Sequence, residues 1–573
     1  MYFFYRKSNT SITNSEVTIR VCTNDSDYQQ SIIRNVFSKL AYMGMALANT
    51  FQVATWFKGY KDPNAFHHFL TALYAKVPND ALEILNLSVL VPQFPFEEIS
   101  QAVINAIVYD IPLSESLAKC EIKLVQQVLA FGAPSVVNAL RKIPRAETTS
   151  EKYYSDNPDV PKISGGDAFS SVLEAVGMGI LSADDKTHAL FNKQMIETLT
   201  IQSFDSTEKY KDNPYKTHFI NVVREQTSEL LNQFRKHAKK QKPFTPDFLS
   251  FSLRIFLNGF YPPENERQEQ ENWSEDFIQG LSNAIAEVSD DAFKSIMSPY
   301  SNKEDLRTRA RDQLNPFINK IMERKQNFYL GDEYVKKVSE DELRQIIISL
   351  LFAGGDNIKK YLDHCFVEFG RDDIKQKYLR SEQIRDEKWP ESLDLLLKEV
   401  GRLYTTIYAQ PGKALQDFVI EYQGVTIFVP AGTELHYTTW QANTSREWGE
   451  YANEFNPEEN SKYYKQLNPL ATFGSDNRVC RGKTLTIALL THVVSQTLAE
   501  FEIESFVDNK KNYHPQLKGF NNGVGGQPEY LFRFRDKKPA VVPIAEAGFF
   551  ALDGNQEENS TVMTRPNRIN SGR

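Results

Sequence analysis

At 573 residues and 41% apolar composition, the chain has material for a large core and exceeds the usual size of one compact domain. Its net charge of −8 at pH 7, with 66 lysines and arginines scattered along the sequence, lacks the basic footprint of a nucleic-acid partner and excludes that function class. The cysteines, Cys22, Cys120, Cys365 and Cys480, are widely spaced and form no CxxC pair, which removes zinc-ribbon and thioredoxin-like readings and fits a reducing compartment.

The opening "MYFFYRKSNT" has neither the apolar run nor the small-residue cleavage site of a secretory signal. Residues 40–57, "LAYMGMALANTFQVATWF", reach only about the minimum spanning length and carry Asn49, Thr50 and Gln52, each of which would need a partner in lipid. They read as a packed helix, with a membrane-inserted helix as the alternative. A cytoplasmic place is expected, with peripheral membrane contact left open. Residues 1–125 read as a mostly helical extension, punctuated by "GYKDPN" and "VPQFPFEE", with no chemical motif. The adjacent His67 and His68 point to different sides of a helix, which disfavours a shared metal.

From 126 to 545, long amphipathic segments alternate with a few short strands, so a mainly α fold is expected. The segment "DELRQIIISLLFAGGDNIKKYL" is apolar at helical spacing and holds Gly354, Gly355, Asp356 and Asn357. Adjacent glycines inside a helix cost roughly 1 kcal/mol each relative to alanine. Two reasons could repay that: a local distortion at a site, or a close contact between helices. Further on, "KEVGRLY" places Glu399 and Arg402 three apart on one helix face, where they can form an ion pair. The runs "DFVIEYQ" and "VTIFVPAG", joined through Gly424, read as a small antiparallel pair. Cys480 follows in "ATFGSDNRVCRGKTLTIALL", between Arg478 and Arg481 and just before an apolar helix. A thiol loses its proton most readily beside cations, a metal or a helix N-terminus, and Gly474 and Gly482 permit a tight loop. The polar end, 546–573, reads as a disordered tail.

Phe473, Gly474, Asp476, Arg478, Cys480 and Gly482 resemble the haem-binding loop of the cytochrome P450 family, FxxGxRxCxG, with Asp476 where the second glycine usually stands. The resemblance implies haem b, with Cys480 as axial thiolate on its iron and Arg478 on a propionate. Glu399 and Arg402 are similar to the family's structural ExxR pair. The PxGT turn at 430–433 and the FxP element at Phe455 and Pro457 follow in the family's order. Where the family usually places an arginine after that proline, Glu458, Glu459 and Asn460 stand, so Arg402 is expected to lack its third partner. Ala353 to Asn357 resembles the oxygen-binding AGxDT stretch, which implies catalytic roles for Gly354, Gly355, Asp356 and Asn357. Asn357 replaces a threonine whose hydroxyl serves proton delivery; an amide can hold water or oxygen but offers no hydroxyl relay. His188 fits a propionate-binding position ahead of Asn192 and Lys193, where the family has an arginine.

The resemblance covers roughly 126–545 and is strongest from 340 to 505. It implies a P450-type fold of long helices around a buried haem with small sheets, and a monooxygenase that inserts one atom of O2 into a lipophilic small molecule. Electrons would come from a separate protein, a ferredoxin, flavodoxin or reductase, since the chain shows no dinucleotide fingerprint. Because Asn357 departs from the pattern, a hydroperoxide isomerase or peroxygenase that uses peroxide without external electrons is the alternative. A non-catalytic haem sensor is a third reading.

Overall fold

The computed structural model describes residues 17–21, 87–93, 123–131, 134–141, 143, 161–165, 173–181, 191, 195, 199, 214–261, 273–297, 303–325, 328, 338–507 apart from 385, 387, 408, 423–424, 430 and 475–478, then 510–511 and 530–537. Eight helices matter here: α1 (Pro134–Arg141), α2 (Pro214–Lys240), α3 (Phe248–Phe260), α4 (Glu275–Met297), α5 (Lys303–Met322), α6 (Glu340–Phe369), α7 (Trp389–Leu403) and α8 (Lys483–Glu500). The strands are β1 (Thr18–Val21), β2 (Leu87–Gln93), β3 (Lys123–Phe131), β4 (Ile163–Ser164), β5 (Ala409–Ala414), β6 (Phe418–Tyr422), β7 (Val425–Val429), β8 (Glu434–Thr438), β9 (Phe501–Val507), β10 (Lys510–Lys511) and β11 (Tyr530–Asp536).

The 30-residue α6 is the spine. It starts at a full capping box, in which the Ser339 hydroxyl accepts the Glu342 N–H and the Glu342 carboxylate accepts the Ser339 N–H. Beyond that first turn most of its residues are buried, because α3, α7, α8 and β9 pack around it. The largest core cluster forms on these elements. At one end Phe234 of α2 stacks on Phe534 of β11 with ring centroids 4.0 Å apart, and Phe366 of α6 meets Phe534 edge-on.

Three small sheets flank the helices, in the orders β1-β6-β7, β10-β9-β11 and β2-β3-β8-β5-β4. The expected pair of 418–429 is present: β6 and β7 run antiparallel, with Phe418 opposite Val429 and Tyr422 opposite Val425. The helical reading of residues 1–125 needs correction where those residues are described. There the chain forms β1, β2 and the start of β3. Alternation explains β1, since Val17 and Ile19 turn onto a second core cluster with Phe418, Ile420 and Val136. β3 crosses the expected boundary at 126 and pairs in parallel with β8, from Val128 opposite Glu434 to Phe131 opposite Tyr437. The described part of the extension is thus woven into the main body. No described helix is long and apolar enough to cross a membrane; residues 40–57 and the tail from 546 lie outside the described residues.

Candidate haem site

The loop that carries Cys480 is closed by backbone bonds. A short 3-10 turn, Ala471–Phe473, ends at Gly474, whose φ of 73° and ψ of −167° suit glycine and strain any other residue. The chain then returns so that the Cys480 N–H donates to the Phe473 carbonyl at 2.6 Å, and the Cys480 carbonyl accepts the Lys483 N–H that opens α8. The sulfur therefore lies at the helix start, near the N–H groups of Gly482 and Lys483.

Cys480 and Cys365 are both free thiols, with opposite settings. Cys365 is buried in α6 and burial holds its proton on, so it is chemically inert. Cys480 is accessible, although the protein around it removes enough water to raise its thiol pKa. The Gly482 and Lys483 N–H groups and the nearby Arg481 and Lys483 charges oppose that rise without cancelling it. A ligand sulfur needs this combination of an open side and fixed N–H donors for its anionic form, and Cys480 has both. Haem fits this residue; Arg478 and His188, expected to hold its propionates, lie outside the described residues, as do Asn192 and Lys193. Gly482 has only ordinary contacts around the position of an added Cβ, the nearest being the Cys480 sulfur at 3.8 Å, so protein packing alone does not demand a glycine there.

Of the two reasons the sequence left open for the adjacent glycines of α6, the close contact between helices is present. Instead of a local distortion, the helix runs unbroken through both glycines. Their reason is packing. A Cβ on Gly354 would lie within 2.3 Å of the Phe256 ring, and one on Gly355 would meet Leu249 at 3.1 Å and Leu253 at 3.2 Å. The glycines let α3 approach, a packing reason that stands beside the catalytic role the resemblance implies. Ala353 and Asn357, four residues apart on another face, are exposed and half-buried respectively.

Asp356 is engaged. Its Oδ2 accepts the Lys360 ammonium at 2.6 Å and the Ser289 hydroxyl of α4 at 3.0 Å. Burial works to raise its pKa, but Lys360, Lys359 and the Ser289 hydrogen bond outweigh it, and the net direction is down. The carboxylate is held ionised.

The Glu399–Arg402 pair on α7 forms as expected, fully buried and bidentate, with Nε to Oε2 at 2.9 Å and Nη2 to Oε1 at 2.8 Å. The place of the missing third partner is filled in a way the sequence did not reveal. Asn460 donates its amide to Glu399 Oε1 at 2.7 Å, the Asn456 N–H adds a bond to the same oxygen at 3.0 Å, and the Tyr464 hydroxyl donates to Oε2 at 2.9 Å. The remaining guanidinium donors reach the carbonyls of Asn443, Ala452 and Glu454. The signal was the asparagine itself, the one amide among the residues that replace the arginine.

The cytochrome P450 family model matches residues 266–526, a span that holds α4 to α8 and the Cys480 loop. A cytochrome P450 monooxygenase of Aspergillus terreus is 31% identical over 120 residues, which are 19% of this chain and 23% of that protein. The cytochrome P450 monooxygenase milC of Cordyceps militaris is 27% identical over 200 residues, 31% of this chain and 38% of that one. The chain thus spans well under half the length of these curated relatives. In fold, a crystallised cytochrome P450, CYP102L1, superposes with a TM-score of 0.52 at 13% identity, over 77% of this chain and 99% of that one. The retinoic-acid-bound cyanobacterial CYP120A1 gives 0.50 at 16% identity, over 74% and 94%. Residues 266–526 thus match the cytochrome P450 family, and the fold of the chain is that of the cytochrome P450 structures.

Proposed function

We propose that the protein is a haem-thiolate oxidoreductase, with haem b held by Cys480, that acts as a monooxygenase on a lipophilic small molecule. The observation that carries the reading is the placement of Cys480: an accessible thiol, fixed by its loop at the N-terminal start of α8. Haem bound through a thiolate supplies activation of dioxygen or of a peroxide. The chain's own residues hold and orient. Asn357 offers an amide that can position water or oxygen, and the Glu399–Arg402 cage keeps the segment before the Cys480 loop in place. Arg478 and His188 are proposed propionate partners on the family pattern, and a separate ferredoxin, flavodoxin or reductase is the proposed electron donor.

A second reading has its own support. With Asp356 clamped by Lys360 and Ser289, and Asn357 without a hydroxyl, proton delivery from α6 is poorly provided, which favours use of a preformed hydroperoxide without external electrons. One pair of reactions separates the two: dioxygen with a surrogate reductase, and a fatty-acid hydroperoxide alone. Product in the first supports the monooxygenase, and product only in the second supports the alternative. The haem assignment beneath both is tested by the carbon monoxide difference spectrum, expected to show the thiolate band and to lose it in Cys480→Ser. An unchanged spectrum in that variant overturns both readings.

A further inference from the structure

A cleft of about 570 Å³ opens between residues 174–179, α5 and the first turns of α6, away from Cys480 in the sequence and built from residues the haem site does not use. Its volume is in the range of small-molecule sites. On the α5 wall Arg307 and Arg311 stand four apart, hence on one face, with the buried Ala310 and Leu314 beneath them. On the α6 wall Arg344 lies one turn before the buried Ile348.

The walls are fixed. Arg344 donates to the Asn319 side-chain oxygen at 2.8 Å and to that of Asn315, two neutral acceptors that orient the guanidinium without discharging it. The Ile180 N–H donates to the Gln345 side chain at 3.0 Å, and Gly177, with φ 82°, turns the 174–179 segment so closely that a Cβ there would lie 3.0 Å from the Ile348 methyl. Two carboxylates, Glu174 and Asp341, also line the cleft, so its three guanidiniums leave a formal charge of 3 − 2 = +1. Among the described residues, the carboxylate within 4 Å of any of the three is Glu304, a loose 3.8 Å from Arg307.

We infer that this cleft binds an amphipathic acid, its carboxylate held by Arg307, Arg311 and Arg344 and its apolar tail lying over Ala310, Leu314 and Ile348. Guanidinium forks match a carboxylate in geometry as well as charge, and a bare alcohol of equal length would leave them without a partner. The inference is independent of the haem assignment, since Cys480 is not among the residues that line the cleft.

Calorimetric titration of the full chain with decanoate and with 1-decanol tests it. Decanoate is expected to bind at least about tenfold more tightly, and R307Q/R311Q, two exposed positions, to bring decanoate to the level of the alcohol. Glu174→Gln, which removes an opposing charge, is expected to tighten decanoate about two- to threefold. Equal affinity for acid and alcohol overturns the inference, as does full decanoate binding by R307Q/R311Q or weaker binding by Glu174→Gln. A Soret shift that tracks the isotherm identifies the acid as one that reaches the haem; binding without a shift identifies a separate effector. Both leave the carboxylate site standing.

Discussion

The ion pairs of Glu399 with Arg402 and of Asp356 with Lys360 are built to different standards. Glu399 and Arg402 are entirely shielded, and every strong donor and acceptor of the pair is used: three further donors on the glutamate and three carbonyls around the guanidinium. Asp356 and Lys360 keep 13% and 11% of their side-chain surface, and Asp356 has one further donor, Ser289. The first arrangement is over-determined and suits a framework. The second can be changed by a single side chain, and it lies beside the residue whose chemistry departs from the family.

The sharpest way to break the comparison is to remove one member of each pair. Glu399→Ala or Arg402→Ala strands a buried charge and is expected to cost about 3–5 kcal/mol, read as loss of the folded, haem-loaded fraction or a large fall in the unfolding midpoint. Asn460→Ala takes one charge-assisted bond from the cage and is expected to cost about 1.5–3 kcal/mol in chemical denaturation. Such a loss would show the amide to be a true third partner; no loss would leave the cage to Tyr464 and the backbone. Gly354→Ala forces a methyl into the Phe256 ring behind Asp356 and is expected to cost about 1–3 kcal/mol through overpacking.

The smallest stability effect is expected at Lys360→Met, where the readout is pH dependence. Removing the ammonium leaves burial to dominate at Asp356, so its pKa rises, and any activity that depends on its protonation shifts to higher pH in a turnover profile. An unshifted profile would show Asp356 to have no part in the reaction. For Glu399 the sign follows from its lowered folded pKa: the pair stabilises fully above the unfolded glutamate value and loses that contribution as pH falls through the folded one. Acid unfolding of the wild type should report this, and Asn460→Ala should move the transition to higher pH.

What the sequence revealed was local. Cys480 with its flanking glycine loop, the i,i+3 spacing of Glu399 and Arg402, and the alternation in β6 and β7 each occupy one short window whose chemistry is complete in itself. What it concealed depends on distant partners. Gly354 and Gly355 look the same whether they serve oxygen or make room for Phe256, a residue 98 positions away (354 − 256). Asn460 becomes a ligand of Glu399 only once the chain between them has folded back. β2 and β3 contain apolar residues that a helix could also use; β2 pairs with β3, and β3 with β8, about three hundred residues on.

That last pairing has a consequence for synthesis. A ribosome must deliver Glu434 to Thr438 before β3 can find its parallel neighbour, and Phe418 to Tyr422 before β1 can find its own. Through most of translation β1 and the edge of β3 that faces β8 emerge unclaimed, the state in which nascent chains most readily associate with one another. Chaperone dependence during expression should therefore concentrate in the first 131 residues, well before any residue of the Cys480 loop leaves the exit tunnel.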